Sequence, residues 1–390
     1  MKARLGGLAR RGTYIEQLKS TAIPLIHLDA GDAFQATYQV NEASKAQVRA
    51  AAEIYLNTFQ TMGLQAYTVG DRDLALGIPL LKELAEKAAF PFLSANIQDE
   101  ENAHVFEPSV LLEAGGLKIA VIGATTTLFV NKQQVTSEYK IQLNDPAEAV
   151  AAQVARWKAQ GVELFVVLAH LNEGEVEKVA QRNPEVQLVL GGQSLRKQAT
   201  LERSETAWVA NAYMRGKNLS VLSLFVRDGS LTFVDPNNQQ ALQRQQAQLE
   251  QQIAAQQRFL ESARTEATRA SSIPHLERRL VQLRTELQQV GFALEDVEEI
   301  DPNASHVAWE LKGMTTEYSD HTEIAAKVQA YRAEFPDPAA ARRRATPPNR
   351  LGPAGRPLPP TGARAAPPSR NAAPVAPTAP RPAPARPTTR

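Results

Sequence analysis

Four polar residues stand just beyond short apolar runs in this 390-residue chain. Asp32 follows Thr21 to Leu28 (TAIPLIHL), Asp71 follows Ala66 to Val69, His170 follows Glu163 to Ala169, and Gln193 follows Val186 to Leu190. Each run reads as a buried strand, and in open α/β sheets the loops at the carboxyl ends of strands build the site. Carboxylate and imidazole are groups that ligate a divalent cation, so these strand ends could assemble one. Arg72 sits beside Asp71. A guanidinium stays charged, so it can hold a phosphate but cannot deliver a proton. Asp71, Arg72 and Asp73 equally read as a local salt-bridge cluster. His27 reads as a core residue, while His104, His275, His306 and His321 have no partner spacing and receive no role.

The elements that must position these groups alternate through residues 1–235, which predicts α/β sheets covered by helices. Lys45 to Met62 carries Val48, Ala52, Tyr55, Leu56 and Phe59 at helical spacing, and Ile78 to Ala89 continues as a helix. Further strands are expected at Phe92 to Asn96 and Lys118 to Gly123. Asp145 as N-cap with Pro146 in the first turn opens a helix running through Trp157. The Asp228-Gly229 turn suggests a hairpin between Ser220–Val226 and Leu231–Val234. Residues 236–300 are Gln-rich. Leu242, Leu249, Ile253 and Leu260 precede Pro274, and Leu276, Leu280, Leu283, Leu287 and Val290 follow it in steps of four and three. That spacing predicts an antiparallel helical hairpin or coiled coil, folded onto the body or forming a homodimer contact through 242–290. Residues 301–335 read as a strand, His306 to Leu311, and a helix, Glu323 to Phe335.

Composition sets the outer limits. The chain has no cysteine, which excludes disulfides and thiolate metal sites. It has no apolar run of about 18 residues, so no membrane-spanning helix is expected. Residues 336–390 hold 16 of the 25 prolines, and ten arginines follow Asp337 with no acidic residue among them. Such a segment buries too little apolar surface to offset its chain entropy, and a disordered tail is expected. With those ten charges set aside, the net +1 becomes −9 over residues 1–337, which speaks against specific nucleic-acid binding. Met1-Lys2-Ala3-Arg4-Leu5 has no apolar stretch behind it and is not expected to act as a signal peptide.

Gly6-Gly7-Leu8-Ala9-Arg10, Asp29-Ala30-Gly31-Asp32, Val69-Gly70-Asp71-Arg72-Asp73, Leu168-Ala169-His170 and Gly191-Gly192-Gln193-Ser194-Leu195 follow one another in an order that resembles the calcineurin-like metallophosphoesterases. The closest resemblance is to the N-terminal domain of 5'-nucleotidases, as a degenerate bacterial member. The resemblance implies a sandwich of β-sheets flanked by helices, a pair of divalent ions (Mn, Zn or Ca), and hydrolysis of a nucleotide or similar small phosphate ester. It also implies a periplasmic or cell-envelope setting. Asp32 matches the bridging aspartate and His170 the imidazole of a Leu-Ser-His segment. Asp71 stands where the family has asparagine, and Arg72 where it has a histidine that acts on the leaving group. Gln193 and Leu195 stand at two further histidine positions, and leucine offers no lone pair. The family's first strand, with Asp-x-His ahead of the Gly-Gly helix, is not found before Gly6, so the start at Met1 is expected to be displaced. The residues imply phosphoesterase ancestry with a depleted, inactive metal site. The alternative is a non-catalytic binding or assembly module.

Overall fold

The computed structural model describes residues 5–193, 198, 200–213, 216–265, 271–295, 301 and 303–336. Leu195 and the tail beyond Pro336 lie outside them.

The chain opens with α1 (Leu8–Ser20), β1 (Leu28–Asp29), α2 (Lys45–Thr61), β2 (Ala66–Thr68), α3 (Ile78–Lys87) and β3 (Phe92–Leu93). These three strands form a small parallel sheet in the order β1-β2-β3. The strand expected over Thr21 to Leu28 is confined to its end. Pro24 interrupts that run and Ala22 has a positive φ of 58°, and only Leu28 and Asp29 register with β2, against Ala66 and Tyr67.

The next elements are β4 (Ile97–Asp99), β5 (Ser109–Ala114), β6 (Leu117–Thr125), α4 (Lys132–Tyr139), β7 (Ile141–Leu143) and α5 (Pro146–Lys158). The cap of α5 follows its sequence: Asp145 accepts hydrogen bonds from the Ala147 and Glu148 amides. Then come β8 (Leu164–His170), α6 (Glu173–Arg182), β9 (Val186–Gly191), β10 (Glu202–Ser204) and β11 (Ala207–Asn211). A second sheet has the order β10-β11-β9-β8-β6-β5, parallel in its four inner strands and antiparallel at both edges.

Three apolar layers hold the two sheets together. The helices α1, α2 and α3 cover the outer face of the small sheet through Ile15, Leu56, Phe59 and Leu81. On the far side, α5 and α6 cover the large sheet through Val150, Trp157 and Val179. Between the sheets lie Ala66 and Leu93 from one and Val121, Leu164, Val166 and Leu168 from the other. The two-residue period of β8 sorts its side chains between layers: Phe165, Val167 and Ala169 face the helices, and Leu164, Val166 and Leu168 face inward. His170 continues the inward row, which aims its ring at the small sheet.

β12 (Asn218–Phe225) corrects the expected hairpin. The turn exists, with Ser230 N–H donating to the Arg227 carbonyl at 2.9 Å, but β12 pairs antiparallel with β13 (His306–Gly313) over eight residues. That long-range pairing sets Leu222, Leu224, Val307 and Trp309 on the inter-sheet core, which Leu231 and Phe233 join from beyond the turn. Between them, α7 (Asn238–Thr265) and α8 (Ile273–Glu295) pack on each other through Leu242, Leu249, Leu283 and Val290. The chain then returns through α9 (Thr322–Glu334), whose Ile324 is buried in the layer over the small sheet. His321 caps α9 and pairs with Glu16, a local role.

His27, just before β1, supplies a test of this packing. Burial first, then the charge of Arg11, lowers its ring pKa to about 3. The unfolded ring takes a proton near 6.5, the folded one only near 3, so stability is lost as pH falls through that window. Urea midpoints measured from pH 7 to pH 4 should therefore fall less steeply for His27→Leu than for the wild type; parallel curves would contradict the assignment.

Candidate metal centre

Three loops meet where the ends of β1, β2 and β8 approach. The first, Asp29 to Asp32, turns sharply, with φ of 96° at Gly31 and 61° at Asp32. A Cβ at Gly31 would lie 2.8 Å from the Thr68 carbonyl oxygen and 2.9 Å from both the Gly70 nitrogen and His170 Nδ1. Only glycine lets the three loops close to this distance.

Asp73, fully buried, fastens them. Its Oδ2 accepts from the amides of Asp32 (3.0 Å) and Gly70 (2.9 Å) and from the Tyr67 hydroxyl, and its Oδ1 from the Phe34 amide (3.2 Å). Burial, then the charge of Asp32, pushes its carboxyl up to about 7 against those donors. The reading of Asp71, Arg72 and Asp73 as one salt-bridge cluster is thus corrected: Asp73 turns inward onto backbone amides. Sequence reasoning missed this role, because an acidic residue in a loop gives no sign of which way it points.

Held by that bracket, Asp32, Asp71 and His170 converge, each offering a ligand atom within 4.8 Å of the others. His170 Nε2 lies 3.1 Å from Asp71 Oδ1 and 3.4 Å from Asp32 Oδ2, while Nδ1 lies 2.8 Å from the Ala30 carbonyl oxygen. Burial lowers the ring's pKa, but the hydrogen bond to Asp71 and the charges of Asp32 and Asp71 outweigh it and raise it to about 9. Burial raises the Asp71 carboxyl, yet its hydrogen bond and charge interaction with His170, aided by Tyr38, bring the net shift downward. For Asp32 burial prevails and the shift is upward.

Arg72 and Gln193 border this triad. The Arg72 amide donates to Asp32 Oδ1 at 2.9 Å, and its Nη1 lies 3.5 Å from Asp32 Oδ2. Its guanidinium also covers the Tyr38 ring at 5.4 Å, and the Tyr38 hydroxyl donates to Asp71 Oδ2 at 3.1 Å. Nothing in the sequence marked Tyr38. Gln193 Nε2 donates to the same Asp71 oxygen at 3.4 Å.

The donor set fits a divalent cation. Two carboxylates and an imidazole nitrogen converge, and the imidazole is oriented through its other nitrogen by a backbone carbonyl, the usual arrangement of a ligating histidine. Without a metal the charged ring of His170 balances Asp32 and Asp71, and a cation would take over that role by displacing the Nε2 proton.

No protein-family model matches the chain. In sequence it is 28% identical over 197 residues to a 5'-nucleotidase of Diplobatis ommata, covering 48% of this chain and 32% of that protein. It is 27% identical over 195 residues to the snake venom 5'-nucleotidase of Gloydius brevicauda, covering 48% and 31%. In fold it resembles the calcineurin-like phosphoesterase YfkN of Bacillus subtilis, with a TM-score of 0.54 at 14% identity over 86% of this chain and 90% of that one. A 5'-nucleotidase precursor of Thermus thermophilus gives 0.53 at 20% identity, covering 85% and 54%. The chain thus has the fold of the calcineurin-like phosphoesterases, and over about half its length it is similar in sequence to 5'-nucleotidases. It spans about a third of the length of the curated relatives named here.

Proposed function

We propose that this chain holds one divalent cation at Asp32, Asp71 and His170 and binds a phosphate ester of nucleotide type there, without the turnover of a two-metal enzyme. The observation that carries this reading is Arg72, a fixed cation 3.5 Å from Asp32 at the rim of the triad. Hydrolysis needs a group that passes a proton to the departing oxygen. The resemblance places an imidazole there, and a guanidinium cannot do that work. What Arg72 can do is meet two phosphoryl oxygens with its planar fork, a charge-assisted pairing. Tyr38 supports that pose by carrying the guanidinium on its ring face. A bound cation would act as a Lewis acid toward the phosphoryl group. Asp32 and Asp71 would balance its charge, and the Ala30 carbonyl would keep His170 Nε2 directed at it.

The test combines metal content, binding and turnover on the full chain. After loading with manganese, zinc or calcium, mass spectrometry should find about one ion per chain, and Asp32→Ala should lose it. Calorimetry with AMP should show Arg72→Ala weakening binding at least about tenfold, since one charged hydrogen bond contributes ~1.5–3 kcal/mol and tenfold is ~1.4 kcal/mol. Phosphate release should not exceed the buffer rate. Two ions per chain, with AMP turnover abolished by Asp32→Ala, would overturn the proposal in favour of a working phosphoesterase.

A further inference from the structure

The loop that follows β6 turns two large apolar side chains to solvent beside the triad. Among the described residues no large apolar side chain is more exposed than Val130 at 86%, and Leu128 stands at 67%. Phe129 between them goes the other way and packs in the layer over the small sheet. The loop is fastened along its length. The Thr126 amide donates to the His170 carbonyl at 2.7 Å, and the buried Glu175 accepts from the Thr126 hydroxyl (2.6 Å) and from the Thr127 amide and hydroxyl (2.9 and 3.0 Å). At its far end Asn131 Nδ2 donates to the Tyr38 carbonyl oxygen at 3.0 Å. The two side chains cannot fold away without giving up those bonds, although apolar surface in water is unfavourable.

Position says what would cover them. One anchor of the loop is His170, and the other is Tyr38, whose hydroxyl reaches Asp71 and whose ring lies under the Arg72 guanidinium. The exposed pair therefore stands on the segment that runs from the triad to the residue carrying Arg72. We propose that Leu128 and Val130 form an apolar rim that contacts the ring of a ring-bearing phosphate ester, a nucleoside or aryl phosphate, and so set the substrate class. This rests on the phosphate-binding reading above. Side chains of carbon and hydrogen alone read no donors or acceptors, so the rim selects a flat apolar group without telling one base from another. A sugar phosphate would present hydroxyls to it, whose hydration the rim cannot replace.

Calorimetry on the full, manganese-loaded chain with AMP, UMP, phenyl phosphate and ribose 5-phosphate tests this without an activity assay. The wild type should bind the three ring-bearing esters at least about tenfold more tightly than ribose 5-phosphate, since an apolar contact discriminates by ~10–200-fold and an open rim belongs at the low end. Leu128→Ser combined with Val130→Ser should lose most of that preference, with the loss falling on the ring-bearing esters and not on ribose 5-phosphate. If the serine pair loses its native circular dichroism, Val130→Phe decides: it adds apolar surface to the rim and should tighten AMP but not ribose 5-phosphate. Wild-type preference in the serine pair or the Phe variant, while Arg72→Ala still weakens AMP and ribose 5-phosphate alike, would remove the rim and leave the phosphate site standing. Equal affinity of the wild type for AMP and ribose 5-phosphate would overturn the rim as well. No binding of any of the four by the wild-type chain would bring down the phosphate-binding reading and this inference with it.

Discussion

Replacing Asp73 by leucine is expected to lower the unfolding free energy by about 4 kcal/mol, although the two side chains are similar in size. The carboxylate accepts from three backbone amides and one hydroxyl in a fully buried position. Leucine would leave those donors with nothing to meet, at about 1–3 kcal/mol for each one that water cannot reach. The Tyr67 hydroxyl can turn away, which is why the full sum is not expected. Asp73→Asn should cost less, about 2 kcal/mol, because one carbonyl oxygen remains while its NH₂ opposes amides that also donate. Urea unfolding of the three proteins gives the ranking. A loss under about 1 kcal/mol for the leucine variant would show that Asp73 does not fasten the loops. The effect should extend to the site, since the Asp32 amide is one of the donors.

That Asp73 had to be found in the structure illustrates where the sequence is readable. Asp145-Pro146 announces the start of α5 because a cap is a local matter, settled by amides two and three residues away. His170 could be placed at a strand end because β8 is buried on both faces and reads as an unbroken apolar run. The β12–β13 pairing joins Leu222 to Trp309, and the long hairpin of α7 and α8 lies between them. Nothing local to either strand specifies that partner. The same holds inside one short loop. Asp71 and Asp73 are two residues apart, yet one faces His170 and the other the backbone of Asp32. Residue type suggested that both were acidic neighbours of Arg72, but the turn decides which carboxylate joins the site. The Thr21–Leu28 run failed for the opposite reason: its apolar pattern is genuine, but only its last residue and Asp29 meet a partner strand.

Gly70→Ala is expected to damage the centre more selectively than any change to a ligand's neighbours. A Cβ at this position would stand 2.3 Å from Asp32 Oδ1 and 2.6 Å from the Asp32 nitrogen. Neither atom is free to retreat, because Oδ1 holds the Arg72 amide and the nitrogen is held by Asp73. Overpacking of this kind costs about 1–3 kcal/mol. The larger consequence falls on the cation, because Asp32 must swing away from His170 Nε2 to make room. Affinity is expected to drop about 100-fold, to be read by mass spectrometry of the metal-loaded variant. Gly174→Ala is the control. It lies exposed in the first turn of α6, its new Cβ meets nothing nearer than Asn172 Oδ1 at 3.6 Å, and it should be neutral or stabilise by up to about 1 kcal/mol. A Gly70→Ala chain that kept its ion at full occupancy would mean that Asp32 is not held where the cation needs it. Because Gly70→Ala and Asp73→Leu both act by releasing Asp32, their costs should not add: the double variant should be less destabilised than the sum of the two. Additive losses would instead mean that the two residues support separate parts of the loop.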